Sequence, residues 1–223
     1  MILKKISFAS ILWIIVMVAC ACNTEQKSTA NTHIKQEAQD LSKYKRAYFA
    51  SGCFWCVEAI YESLKGVHEA VSGYAGGEKA NPTYREVGSG ETGHAEAVEV
   101  YYDPSIVSFE TLVQVFYASQ DPTTVGQNPD FGKQYRSIIF YQNDEEKKIA
   151  EKAKNALAAS GQYDKPIVTE ITALKKFYPA EEYHQNYEKL HPNEPYVENV
   201  SIPRLKAFQA KHPELLKDEA LHK

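Results

Sequence analysis

Between residues 46 and 205 the apolar residues repeat with two periods, and the two alternate along the chain. Val98, Val100 and Tyr102 are spaced by two, the spacing of one face of a strand within His94–Asp103. Phe109, Leu112, Val113, Phe116 and Tyr117 are spaced by three and four, which marks an amphipathic helix with Ser108 as its cap. A chain patterned in this way lays helices against a sheet, because each element has one apolar face to bury. Arg46–Ser51 and Val67–Tyr74 are further strand candidates. Val57, Ile60, Tyr61 and Leu64 place a helix between them, and Gly66 ends it. Residues 75–93 are rich in Gly, Ser, Thr and Asn and read as a long loop.

After Asp121-Pro122 the pattern predicts a strand over Tyr135–Tyr141 and a helix capped by Asp144. That helix carries Ile149, Ala153 and Leu157 and closes at Ser160-Gly161. A strand over Ile167–Thr172 follows, then a helix after Pro179 with Tyr183, Tyr187 and Leu190 on one face. Leu205 and Phe208 mark a last short helix, and residues 206–223 read as a polar, loose tail. The second and third strands are joined without a helix, so the order is not doubly wound. The expectation is one α/β or α+β domain with helices packed on a mixed sheet.

Composition narrows the function. The chain has 223 residues, 43% hydrophobic and 24% charged, which is the balance of a globular protein. Its net charge of −4 argues against electrostatic nucleic-acid binding. Four cysteines are too few for a disulfide-dense scaffold.

The first residues read as an export signal. Lys4 and Lys5 precede an apolar run from Ile6 to Val18, too short to span a membrane. The run ends in Met17-Val18-Ala19-Cys20, which resembles the lipobox of bacterial lipoproteins. On that reading residues 1–19 are removed and Cys20 is lipidated, with Cys22 as the alternative. A plain secretory signal is the other reading. Residues 20–45 are polar and read as a tether between anchor and domain.

The chemistry centres on Gly52-Cys53-Phe54-Trp55-Cys56-Val57-Glu58. Cys53 falls where a strand turns into a helix, and the amides and dipole of a helix N-terminus lower a thiol pKa. Cys56 is one turn on, within disulfide reach. A Cys-x-x-Cys after a strand is a redox signal. Buried cysteines or half a zinc site are the alternatives, and zinc would need two more ligands. Glu96 shares parity with Val98, Val100 and Tyr102. If that face packs inward, desolvation raises its pKa and makes it a general acid; if it lies at an exposed edge, it is simply solvated. Tyr84 and Tyr135 offer hydroxyls to a polarised oxygen, although most of the 15 tyrosines are packing residues. His184 reads as structural more readily than catalytic.

Six ordered segments resemble the A-type peptide methionine sulfoxide reductases. They are the cysteine motif above, Ser72-Gly73-Tyr74-Ala75-Gly76-Gly77, Asn81-Pro82-Thr83-Tyr84, Thr92-Gly93-His94-Ala95-Glu96-Ala97-Val98, Gln134-Tyr135-Arg136-Ser137 and Tyr178-Pro179-Ala180-Glu181-Glu182-Tyr183-His184-Gln185. They cover residues 46–205. The resemblance implies a two-layer α+β plait that reduces the S epimer of methionine sulfoxide in proteins. It assigns Cys53 as nucleophile and Glu96 as proton donor. Tyr84 and Tyr135 bond the sulfoxide oxygen, Asp130 supports them, and Phe54 and Trp55 form the apolar pocket.

The family's course leaves Cys53 as a sulfenic acid, which a second thiol condenses to a disulfide. Many relatives carry Gly at the position of Cys56 and resolve with a later cysteine. This chain has no cysteine after Cys56, so the pair is Cys53 and Cys56. The resemblance further implies a thioredoxin-like dithiol reductant, no bound metal or other cofactor, and a monomer. With the lipobox, it places a lipid-anchored enzyme at the bacterial envelope, facing the periplasm and repairing oxidised proteins. The stretch after Arg204 is too short for the second reductase domain that some relatives carry. A thioredoxin-like dithiol oxidoreductase is the alternative. It accounts for the two cysteines but not for Glu96, Tyr84 and Tyr135.

Overall fold

The computed structural model describes residues 40–221. The export signal, both lipidation candidates and most of the tether lie outside them. Residues 40–45, the end of the expected tether, are ordered: Asp40 caps a turn over Leu41–Lys43, and Tyr44 stacks on His68.

Six strands form one mixed sheet: β1 (Lys45–Ala50), β2 (Val67–Ala75), β3 (Ala95–Tyr102), β4 (Ile138–Tyr141), β5 (Glu170–Ala173) and β6 (Phe177–Pro179). Their order is β5-β4-β1-β3-β2-β6. All neighbours are antiparallel except β4 and β5. The helices are α1 (Phe54–Glu62), α2 (Tyr84–Gly88), α3 (Phe109–Ala118), α4 (Asp144–Ala159), α5 (Tyr187–Leu190) and α6 (Ile202–Lys211).

Side-chain parity divides the sheet into two faces. Phe49, Val98, Val100 and Ile139 join the main core with Val57, Ile60, Leu112, Phe116 and Phe208 from the helices. Tyr48, Ala50, Ala97 and Phe140 turn to the other face and form a smaller cluster with Phe177. Each large side chain fully buried there contributes roughly 1.5–3 kcal/mol. This is the expected α+β arrangement of helices packed on a mixed sheet in a single domain.

Several short elements depart from the apolar period, set by caps and turns instead. The loop over residues 75–93 contains α2, started by a reciprocal capping box between Thr83 and Glu86. Tyr135 lies in a 3-10 turn (Lys133–Tyr135) before β4, not in a strand. Asn143 rather than Asp144 caps α4. β5 starts at Glu170, three residues later than expected.

The helix expected after Pro179 is absent as a continuous element. Asn186 adopts φ +54° and breaks it, and Tyr183 and Leu190 are exposed. Its amide hydrogen goes to the buried carboxyl of Glu58. The Gln185 amide clamps the Ser72 backbone, accepting from its N–H at 2.9 Å and donating to its carbonyl at 3.0 Å. Those bonds extend the edge of β2 beyond β6. The expected loose tail is also docked: Leu216 is buried, Lys65 N–H donates to Leu215 O, and Lys217 N–H donates to Ser63 O.

Candidate active site

β1 runs through Ser51 into Gly52, whose φ of +88° turns the chain sharply. A side chain is disfavoured there twice over, because a Cβ would also meet Gln127 at 3.0 Å. The Gly52 N–H donates to Tyr135 O, so the turn is tied to the segment carrying that tyrosine. Cys53 follows as the N-cap of α1, and Cys56 lies in its first turn. Both are buried and both are free thiols.

Glu96 on β3 reaches the same helix start. Its Oε2 accepts the Phe54 N–H at 3.0 Å, and it is 2% exposed. The inward reading of its parity is therefore the observed one. Burial raises its pKa to about 8, helped by the charges of Asp130 and Cys56 and opposed by the Phe54 bond. At neutral pH Glu96 holds a proton. Because Oε2 takes the amide bond, Oε1 is the oxygen left to carry and release that proton.

The cysteine electrostatics differ from the expectation of a lowered Cys53 pKa. The Cys53 side chain takes no capping bond, since the Phe54 amide at the helix start serves Glu96. Burial pushes the Cys53 thiol up, with further pushes from Cys56 and Glu96. Cys56 goes the other way, down to about 6. The Cys53 thiol, the positive charge of Arg204 and the Ser201 and Tyr196 hydroxyls pull it down, against burial. Each thiol shifts the other, Cys53 upward and Cys56 downward.

Aromatic rings make a wall beside the thiols. Phe54 lies against Tyr84 at 6.2 Å, Trp55 at 6.2 Å and His184 at 5.0 Å between centroids. Tyr84 also meets His184 at 4.3 Å. Trp55 stacks on Tyr187 at 3.8 Å. Burial raises the Tyr84 pKa to about 12 and Tyr135 higher still, and the charges of Glu96, Asp130 and Cys53 act on both rings. Both phenols therefore remain hydrogen-bond donors at neutral pH. Tyr196 donates to Asp130 Oδ2, and its oxygen is 3.9 Å from Cys56 Sγ. The structure thus gathers every sequence-selected residue of the site: Cys53, Cys56, Phe54, Trp55, Tyr84, Glu96, Asp130 and Tyr135.

Sequence reasoning missed a second set. Tyr196, Ser201 and Arg204 surround Cys56 and come from the end of the domain. Glu181 positions α2, accepting from Tyr84 N–H at 2.9 Å and from Tyr74 Oη at 2.8 Å. His184 accepts from Trp55 Nε1 at Nδ1, which puts the hydrogen of the neutral ring on Nε2; that buried nitrogen meets no partner. The only local signal for these was proximity of Glu181 and His184 to other motif residues. Among the described residues, no group of three or more His, Cys, Asp or Glu is arranged to hold a metal ion.

The model of one protein family, peptide methionine sulfoxide reductase, matches residues 45–216. The chain belongs to that family. It is an oxidoreductase of the kind the family name describes. The peptide methionine sulfoxide reductase MsrA of Polynucleobacter asymbioticus is 45% identical over 179 residues, covering 80% of this chain and 94% of the relative. The Listeria monocytogenes enzyme of the same name is 52% identical over 146 residues, 65% of this chain and 82% of that one. Among solved structures, methionine sulfoxide reductase A of Corynebacterium diphtheriae superposes with a TM-score of 0.61 at 36% identity, covering 70% of this chain and 78% of that one. Reduced Mxr1 of Saccharomyces cerevisiae gives 0.62 at 33% identity, covering 69% and 88%.

Proposed function

We propose that this protein reduces the S epimer of methionine sulfoxide, in proteins and as the free amino acid, with Cys53 as nucleophile. The observation that carries this reading is the protonated Glu96 carboxyl held on the Phe54 amide, beside Cys53. Sulfoxide reduction needs a sulfur nucleophile and a proton for the departing oxygen at the same place. A carboxyl with a pKa near 8 supplies that proton at neutral pH. The Tyr84 and Tyr135 hydroxyls bond the sulfoxide oxygen where charge grows, with Asp130 beside them. Phe54 and Trp55 receive the methyl group.

Cys53 sulfur attacks the sulfoxide sulfur, the oxygen passes to Cys53 as a sulfenic acid, and methionine leaves. Cys56 thiolate then attacks the Cys53 sulfur; an S–S bond forms, the S–O bond breaks, and the oxygen leaves as water after taking a proton. A thioredoxin-type dithiol reduces the resulting disulfide. We further propose that residues 1–19 are a lipoprotein signal, with Cys20 or Cys22 lipidated. Residues from there to the domain act as a tether, and the enzyme works as a monomer on oxidised envelope proteins.

The test is turnover of racemic N-acetyl methionine sulfoxide with dithiothreitol, followed by chiral chromatography. Loss of the S epimer alone, abolished by Cys53→Ser, is expected. Loss of neither epimer, with reduction of insulin disulfides instead, would establish the dithiol oxidoreductase alternative. The anchor is tested by fractionation with globomycin, where a soluble, non-lipidated mature protein contradicts it.

A further inference from the structure

Glu58 lies one turn beyond Trp55 on α1, is 2% exposed, and has no part in the chemistry above. Both of its carboxyl oxygens are engaged. Oε1 accepts the Asn186 N–H, and Oε2 accepts the hydroxyl hydrogen of Ser72 on β2. Ser72 is fully buried, and its backbone takes both bonds of the Gln185 amide. One carboxyl therefore ties α1 and β2 to residues 185–186.

On either side of those two residues stand the supports of the Trp55 indole. His184 Nδ1 accepts from Trp55 Nε1 at 3.2 Å, and Tyr187 stacks on the indole at 3.8 Å with the rings 10° apart. The segment has little regular structure of its own to hold them there. α5 is four residues long, and Asn186 sits at φ +54°, which a non-glycine residue keeps only where its surroundings impose it. We propose that Glu58 is a positioning residue for the substrate's methyl group: by anchoring Asn186 it keeps His184 and Tyr187 on Trp55, and so fixes the width of the methyl pocket. This rests on the reading of Phe54 and Trp55 as that pocket.

An indole turns about two side-chain torsions, and a bond to its N–H together with a ring on its face leaves it one orientation. Releasing Asn186 frees both supports at once, because they flank it in sequence. The pocket then still admits a sulfoxide but no longer measures its alkyl group. A hydrophobic pocket distinguishes groups that differ by one methylene only through close packing. The reacting groups keep their places, since the bonds of Glu58 reach Ser72 and Asn186, not Cys53 or Glu96. The signature of a released anchor is therefore lost discrimination between S-methyl and S-ethyl substrates, with the chemistry retained.

The experiment compares N-acetyl methionine sulfoxide with N-acetyl ethionine sulfoxide as substrates of the full chain with dithiothreitol, and records Trp55 emission. Trp13→Phe leaves Trp55 as the only indole for that reading. In Glu58→Leu, the ratio of kcat/KM for methyl over ethyl is expected to fall about tenfold, chiefly through a higher KM for the methyl substrate, and Trp55 emission should shift to the red. Glu58→Gln keeps an oxygen for Asn186 and a polar partner for Ser72, and should recover most of both. Ser72→Ala removes one of the two bonds and should move both readings the same way, less far; it decides the matter where Glu58→Leu does not fold. A ratio unchanged from wild type in the folded variant would overturn the proposal, whatever the emission, and so would an equal fall for both substrates. If the wild type reduces neither substrate, the methionine sulfoxide reading itself fails, and the proposal fails with it.

Discussion

Glu96 Oε2 accepts the amide hydrogen of Phe54 at 3.0 Å, which puts a buried carboxyl next to Cys53 across 43 residues of sequence. The helix start that was expected to stabilise a Cys53 thiolate instead orients the acid. A proton donor and a sulfur nucleophile are thereby fixed to the same turn of backbone. The consequence is an enzyme whose resting nucleophile is protonated, and whose acid is ready at neutral pH.

Replacing Glu96 by Gln keeps the amide bond acceptor and removes the proton. Turnover of methionine sulfoxide is expected to fall about 10²–10⁴-fold. In the wild type the methionine-release step should weaken as pH rises through about 8, where Glu96 ionises. Single-turnover rates across pH check both points, and the variant should lack that limb.

The same carboxyl should leave a mark on stability. Folded Glu96 holds its proton to about pH 8, whereas its ordinary value is 4.5. The folded state therefore binds more protons within that window, and its stability falls as pH rises through it. Glu96→Gln does not titrate. Its unfolding free energy relative to wild type should rise between those two pH values and level off above. Urea titrations at a series of pH values measure that difference.

Gly52→Ala should damage both fold and site. A non-glycine residue at φ +88° costs about 1–2 kcal/mol, and the new Cβ meets Gln127 at 3.0 Å. The urea midpoint should fall, and turnover should fall further than the midpoint alone explains, because this turn aims Cys53.

Leu216→Ala tests the docked end of the chain. Leu216 is buried against the core that contains Leu64. Loss of its side chain is expected to cost about 2–5 kcal/mol, read as a drop in thermal midpoint. A loose tail would give no change.

β1 to β4, α1, α3 and α6 are legible in the sequence because their burial follows local period, whereas β5 and β6 are short, half-exposed strands that carry none. The parity of Glu96 with Val98 and Val100 is enough to offer it to the helix-facing side of the sheet. The segment from Glu181 to Ser201 is not legible in this way. Its tyrosines keep helical spacing, yet Gln185 bonds Ser72 and Asn186 bonds Glu58, both more than 100 residues away. Such long-range polar bonds leave no periodic trace. The same segment brings Tyr196 to Cys56, so the surroundings of the second thiol are hidden with it. The direction of the Cys53 pKa is hidden for a related reason: the acid that takes the helix amide lies on another strand.

The most direct measurement is one turnover without reductant, in which methionine released and free thiols remaining are counted together. The account predicts one methionine per chain and the loss of both the Cys53 and Cys56 thiols, with no methionine from Cys53→Ser. Methionine release by Cys53→Ser, or release from the wild type with both thiols intact, would contradict it.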